Sequence, residues 1–161
     1  MSLLRVWRIC AVEHAAGAFS GEGARLYGGR WTAPGLPAVY CSETRALAAL
    51  EILAQVDDRR RLADRAWVCL DATLPEDLLE KPARVPDSWR RYPHTQETQA
   101  FGTAWLQSAR SVALRLPSAL VPGEFNYLLN PAHPQFTKVR IGKPEPFSLD
   151  PRLTATRPAR G

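Results

Sequence analysis

An arginine, a glutamate, a glycine-flanked arginine and a serine are the residues of this chain best placed to do chemistry. Arg8 falls inside the apolar stretch Leu4–Val12. If that stretch is a strand, alternation puts Arg8 on one face with Val6, Cys10 and Val12. A guanidinium on an apolar face is costly unless it meets an anion, so Arg8 either binds one or lies at a strand edge with its head in water. Glu51 lies in a run of helical period, about 40° around the axis from Leu47 and at the border of the apolar stripe. A carboxylate held there suits the stabilisation of a developing cation or the orientation of a nucleophile, and equally suits a helix-face salt bridge. In GGRW, residues 28–31, glycines beside Arg30 let backbone N–H groups and a guanidinium approach one phosphate together. The run fits neither the P-loop pattern nor the dinucleotide fingerprint that follows a strand. Ser118 comes just after SVALRL, where it either reaches over a sheet edge or caps a turn. No G-x-S-x-G elbow surrounds it, which excludes a serine hydrolase of that type.

The elements that must carry these residues read as follows. Strands are expected at Leu4–Val12, Ala38–Cys41, Ala66–Ala72, Ser111–Leu116 and Thr137–Ile141. Between the first two runs AAGAFSGEGARLYGGRW, a small-residue segment read as loop. A helix is expected from Glu43 to Val56, with Ser42 as N-cap and a stripe of Ala46, Leu47, Leu50, Leu53 and Ala54. A second, over Glu97–Ala109, places Phe101, Ala104, Trp105 and Ser108 on one side. Prolines at 75, 82, 86 and 93 make residues 75–95 a surface excursion. Strands outnumber helices without regular helical crossovers, which predicts an α+β fold with mixed sheets and flanking helices, not a doubly wound parallel one. The expected division is a catalytic domain over 1–145 and an extended Pro/Arg-rich tail over 146–161.

At 161 residues the chain can bury one core without staples. Its net charge of +5 and pI near 9.5 raise a nucleic-acid reading. The basic residues are dispersed, however, and the densest run, DDRRRLADR at 57–65, is interleaved with acids and reads as a solvated helix end or loop. A nucleic-acid-binding or RNA-cleaving protein would want clustered cations with exposed aromatics, or paired histidines; there are three lysines and three scattered histidines. A basic surface serves an anionic small molecule or an acidic partner equally well. Cys10, Cys41 and Cys69 sit in strand-like stretches and read as buried, reduced thiols. No metal site is expected from this set of histidines and cysteines. The sequence shows neither a membrane span nor a secretory leader, so a cytoplasmic protein is expected.

Arg8, the block GEGARLYGGRWTAPGLPAVYCSETRALAALE ending in Glu51, and LPSALVPGEFNYLLNPAHPQF containing Ser118 together resemble the RES domain, which is named for an Arg, a Glu and a Ser. The resemblance runs from about Leu4 to Ile141; Thr32 stands where the family more usually has Asn after GGRW. It implies a fold similar to ADP-ribosyltransferases, NAD as a consumed substrate, and the toxin role of a bacterial toxin–antitoxin pair whose Xre-like antitoxin covers the active site. Cleavage of the nicotinamide–ribose bond passes through a ribosyl cation, so such a site needs a pyrophosphate clamp, a wall for the nicotinamide and an anion near the ribose. Arg8 and Arg30 are expected to form the clamp. Tyr40, with Trp31 or Tyr27, is expected to stack. Glu51 is expected to face the cation, with Ser118 and Asn126 orienting nicotinamide or ribose. Hydrolysis wants a second carboxylate as base, and only Glu43, eight residues before Glu51, and Glu124, in a turn, are near in sequence. The chemistry therefore leans to transfer of ADP-ribose to a protein acceptor, which the resemblance extends to a nucleotide-synthesis enzyme, over hydrolysis or phosphorolysis of free NAD.

Overall fold

The computed structural model describes residues 1–155. In chain order the elements are β1 (Leu3–Ala11), α1 (Glu22–Tyr27), β2 (Val39–Ser42), α2 (Arg45–Gln55), α3 (Arg60–Ala63), β3 (Trp67–Pro75), β4 (Leu79–Glu80), α4 (Gln96–Ser108), β5 (Ala113–Pro117), β6 (Phe125–Leu129), β7 (Arg140–Ile141), β8 (Glu145–Phe147) and α5 (Pro151–Thr154). The strands form one mixed sheet in the order β4-β5-β6-β2-β1-β3-β7, with β8 also pairing β3; only β4–β5 is parallel. This is the α+β architecture the pattern of strands and helices predicts.

The sheet is not uniformly joined. β1 and β3 pair along nine residues, whereas β1 and β2 share the single register pair Trp7↔Ser42. Past that pair the two strands part, and a seam opens in the middle of the sheet. One face is buried continuously by Val6, Cys10, Val39, Cys41, Leu70, Ala72, Leu74, Tyr127 and Leu129, closed over by Ala18 and Phe19. The opposite face carries two separate apolar clusters. α4 covers Leu114, Leu116 and Leu128 with Trp105 and Leu106, joined by Trp31, while α2 covers Ile9 and Cys69 with Ala48. The polar residues Ser42 and Asn126, paired in register, lie on that face at the seam between them.

Several elements differ from the sequence expectation, each for a physical reason. The glycine-rich segment contains α1, bracketed by Gly21 and Gly28 at φ 76° and 68°, where L side chains are strained. β6 was not expected because, lying between β5 and β2, it is buried on both faces and shows no alternation. β4 lies inside the expected excursion as a short parallel partner of β5. Thr137–Ile141 is not one strand: residues 134–138 form a 3-10 turn capped by the His133 side chain, and only Arg140–Ile141 pairs. Helix α2 starts later than expected, capped by Thr44, whose Oγ1 accepts from Leu47 N. Its buried residues are Leu47, Ala48 and Leu53, with Leu50 42% exposed, so the helix is rolled toward the side that carries Glu51. In α4 the buried set is Thr98, Gly102, Trp105 and Leu106 rather than one containing Ala104 and Ser108. The chain beyond Pro144 is not frayed as far as it is described: β8 pairs β3, and α5 buries Thr154. Residues 156–161 of the expected tail lie outside the described residues.

Candidate active site

Glu51, Asn126 and Ser42 form a connected group at the seam. The half-buried Glu51 projects from α2, and its Oε1 accepts a 2.7 Å hydrogen bond from Asn126 Nδ2. Asn126 Oδ1 in turn accepts a 2.8 Å bond from Ser42 Oγ. Burial pushes the Glu51 carboxyl above its ordinary value, against the opposing pull of the Asn126 bond and the positive charge of Arg30. The carboxylate thus carries a desolvation cost that the Asn126 amide and the charge of Arg30 offset only in part.

Arg30 is positioned by a heavily braced turn. Gly29 packs on Tyr40 so closely that a Cβ there would meet the phenol oxygen at 2.7 Å. Tyr40 Oη is 2.7 Å from Thr32 Oγ1 and accepts from Trp31 N. From the other side, α4 supplies Gln99, whose Nε2 donates to the carbonyls of Gly29 and Thr32, and Thr103, which accepts from Ala33 N. Gly102 lies so near this turn that a Cβ would come 1.9 Å from the Trp31 carbonyl oxygen. The guanidinium then donates through Nη1 to the carbonyls of Trp89 and Arg91, at 2.9 and 2.7 Å. Arg30 thus ties the 86–95 segment to the turn while its charge acts on Glu51.

Arg8 reaches the seam from the other face. Register places its side chain with Val6 and Cys10, opposite Trp7 and Ile9. Extending the β1–β2 register would set Tyr40 opposite Ile9; instead the strands have parted, and Arg8 Nη1 donates to the Tyr40 carbonyl at 2.9 Å. Its Nε is buried without a partner, an unspent donor on a cation at the opening. Burial pushes the neighbouring Cys10 and Cys41 thiols up, Cys41 to about 12, against the pull of Arg8, and both are free, buried thiols.

The remaining expected residues fall elsewhere. Trp31 is 3% exposed, stacked on Trp89 with centroids 6.3 Å apart and edge-on to Phe101 at 5.9 Å, so its ring belongs to the core and offers no face to a ligand. Tyr27, 83% exposed at the end of α1, stands in solvent. Tyr40 is a brace of the turn: burial pushes its phenol to about 12, so it stays protonated and donates or accepts within the turn. The buried Ser118 oxygen accepts from Leu120 N and Val121 N, capping the turn between β5 and β6, whose tip at Pro122 and Gly123 is exposed. Ser42 was missed, having been assigned to the cap of α2, because nothing in the sequence reveals the β2–β6 register that brings it to Asn126. Gln99 was missed as well, since a polar residue on α4 reads as solvated face. Among the described residues no group of His, Cys, Asp or Glu could hold a metal ion, and no helix is long and apolar enough to cross a membrane.

The mixed sheet with its flanking helices is a fold seen in solved proteins. The crystal structure of the M. tuberculosis MbcT–MbcA toxin–antitoxin complex contains a chain that superposes with a TM-score of 0.74 at 17% identity, over 95% of this chain and 87% of that one. The fold is the ADP-ribosyltransferase-like one that the resemblance implies. The chain belongs to the RES domain family, whose family model matches residues 5–150. Similar proteins include Toxin Res of Yersinia enterocolitica, 36% identical over 93% of this chain and 99% of that protein. Another is the Prs ADP-ribosylating toxin of a Sphingobium species, 34% identical over 91% of this chain and 94% of that protein.

Proposed function

We propose that this protein is the toxin of a bacterial toxin–antitoxin pair and that it cleaves NAD at the nicotinamide–ribose bond, passing ADP-ribose to a protein acceptor. The observation that carries this reading is Glu51, half-buried at the seam, bonded to Asn126 and within the field of Arg30. The names of the family's relatives support it.

In the reaction, the pyrophosphate lies against the guanidinium groups of Arg30, held by the Trp89 and Arg91 carbonyls, and Arg8, held by the Tyr40 carbonyl. Glu51 faces the ribose. As the glycosidic bond to nicotinamide breaks, positive charge grows on the ribosyl ring, and a fixed carboxylate in a water-poor site stabilises that charge more than it stabilises neutral ribose. The nicotinamide leaves with the bonding pair and an acceptor nucleophile closes on the opposite face. Asn126 holds Glu51; Ser118 contributes by fixing the β5–β6 turn that precedes Asn126 in the chain. With Trp31 in the core and Tyr40 bound into the turn, the nicotinamide wall is not drawn from these rings. Tyr27 is exposed at the rim, where a larger partner would meet it.

We favour transfer over hydrolysis because the hydrogen bond Glu51 accepts comes from an amide, which cannot serve as a second base for water. The name of the Sphingobium relative supports the same choice. We further propose an Xre-like antitoxin that covers the seam, with an acidic surface toward this basic chain, and a cytoplasmic location, where NAD is at hand. The test uses adenine-labelled NAD with purified protein, in buffer and in cell extract. Label on a protein band in extract, absent with Glu51→Gln, supports transfer. Release of nearly all label as free ADP-ribose or its phosphate makes NAD depletion the toxic act. Intact NAD in both removes the reading.

A further inference from the structure

Ser42 has a hydroxyl that the fold does not need. Its backbone is fixed twice, by register with Trp7 of β1 and with Asn126 of β6, whatever side chain it carries. The helix that follows is already capped by Thr44. Ser42 is 4% exposed, so water cannot take the place of its hydrogen bond. That bond goes to one atom, Asn126 Oδ1, at 2.8 Å.

The Asn126 amide is unsymmetrical, and its two ends are not equivalent at this site. An ionised Glu51 can only accept, so the amide must present Nδ2 to it. Flipped, the amide would set its oxygen against the carboxylate. The carboxylate therefore selects which end of the amide faces it, and the Ser42 hydroxyl, able to donate or accept, donates to the oxygen on the other side and anchors that end. The chain is therefore polarised in one direction: Ser42 hydroxyl to Asn126 carbonyl, Asn126 amide to Glu51.

We propose that Ser42 is a positioning residue for the reaction: by anchoring the carbonyl end of the Asn126 amide, it holds the Glu51 carboxylate where the ribosyl cation forms. The inference rests on the reading of Glu51 given above. Ser42 touches no substrate atom; it acts through Asn126. Losing it affects the step in which charge develops and leaves ground-state binding of NAD, which depends on the arginines, intact.

The experiment compares Ser42→Ala and Ser42→Thr with the unsubstituted protein in steady-state NAD cleavage. For Ser42→Ala, kcat falls about 10-fold while KM for NAD stays within about twofold. Ser42→Thr, which keeps the hydroxyl, restores kcat to within about threefold of the starting value. A folded Ser42→Ala that cleaves NAD at the original kcat overturns the proposal, as does a loss that Ser42→Thr shares in full or one expressed wholly in KM. Should Ser42→Ala not fold, the unsubstituted protein decides. The Asn126 side-chain amide protons must then show nuclear Overhauser contacts to Glu51 and slow exchange with solvent, and rapidly exchanging protons without those contacts overturn it. An unsubstituted protein inert toward NAD would instead bring down the function itself, and this role with it.

Discussion

Two places on the sheet invite a ligand, and they differ in kind. At the β3–β7 edge a cavity of about 680 Å³ is lined by Leu3, Asp71, Thr73, Lys138 and Arg140, among others. It has room, but its acid is already matched: Asp71 accepts from Arg5 Nε at 2.9 Å, in an exposed pair. At the β1–β2 seam the charges are held apart from full compensation. Glu51 is raised by burial, Arg8 keeps a buried donor unspent, and Arg30 is anchored by one nitrogen. Volume marks where something can sit; uncompensated, oriented charge marks where a reaction can be helped.

The contrast is testable by substitution at both places. The largest effect is expected from Glu51→Gln, which keeps shape and the Asn126 bond but removes the charge: NAD cleavage should fall about 10²–10³-fold. The same variant tests the sign of the electrostatics. Because the folded-state pKa of Glu51 is raised, this group favours folding below its ordinary value and loses that contribution as pH rises through the folded value. At neutral pH, Glu51→Gln should therefore melt no lower than the original, and a clear fall in Tm would contradict the desolvated seat.

Next comes Gly102→Ala, remote from the chemistry. Its Cβ would meet the Trp31 carbonyl, so the brace of the arginine turn must give way, at a cost of about 2–3 kcal/mol in denaturant unfolding. Unchanged stability would mean the turn is looser than its contacts indicate. Arg30→Ala should raise KM for NAD about 10-fold and Arg30→Lys less, since lysine keeps charge but not the fork; equal, negligible effects would remove Arg30 from the site. Ser118→Ala should cost about 1 kcal/mol as a lost turn cap. Its NAD cleavage should stay within about threefold, and a far larger loss of rate in a folded variant would return Ser118 to the chemistry. The smallest effect is expected at the roomy end: Asp71→Asn should leave NAD cleavage within about twofold and stability within about 1 kcal/mol, as for an exposed ion pair. A collapse of activity there would reverse the assignment of the two places.

What could be read from the sequence follows how local each determinant is. Glu51 was legible because helix period alone fixes its angle to Leu47, and the roll of α2 only carried it further inward. Arg8 was legible as a cation on an apolar face, from strand alternation alone. The roles of Trp31 and Tyr40 were not, because aromatic residues beside a glycine turn look the same whether they line a pocket or brace it from beneath. The difference is set by α4, about seventy residues away in the chain at Gln99 and Thr103. Ser42 and Asn126 depend on strand register, which no local pattern encodes when a strand is buried on both faces. The family resemblance supplied Asn126 without its partner.

The short strand β8 has a consequence for how this chain is made. Among the described residues, the outer edge of β3 is covered only by β7, at Ala72 and Thr73, and by β8, at Trp67, Val68 and Cys69. Both come from the last quarter of the sequence. During synthesis β3 can therefore pair with β1 long before its other side is closed, and an apolar edge with unmet N–H and C=O groups stays available to any neighbouring strand. A chain ending at Lys143 would keep that edge open at residues 67–69 permanently. The last short strand, with no part in the seam, occupies an edge that a second copy would otherwise find unpaired.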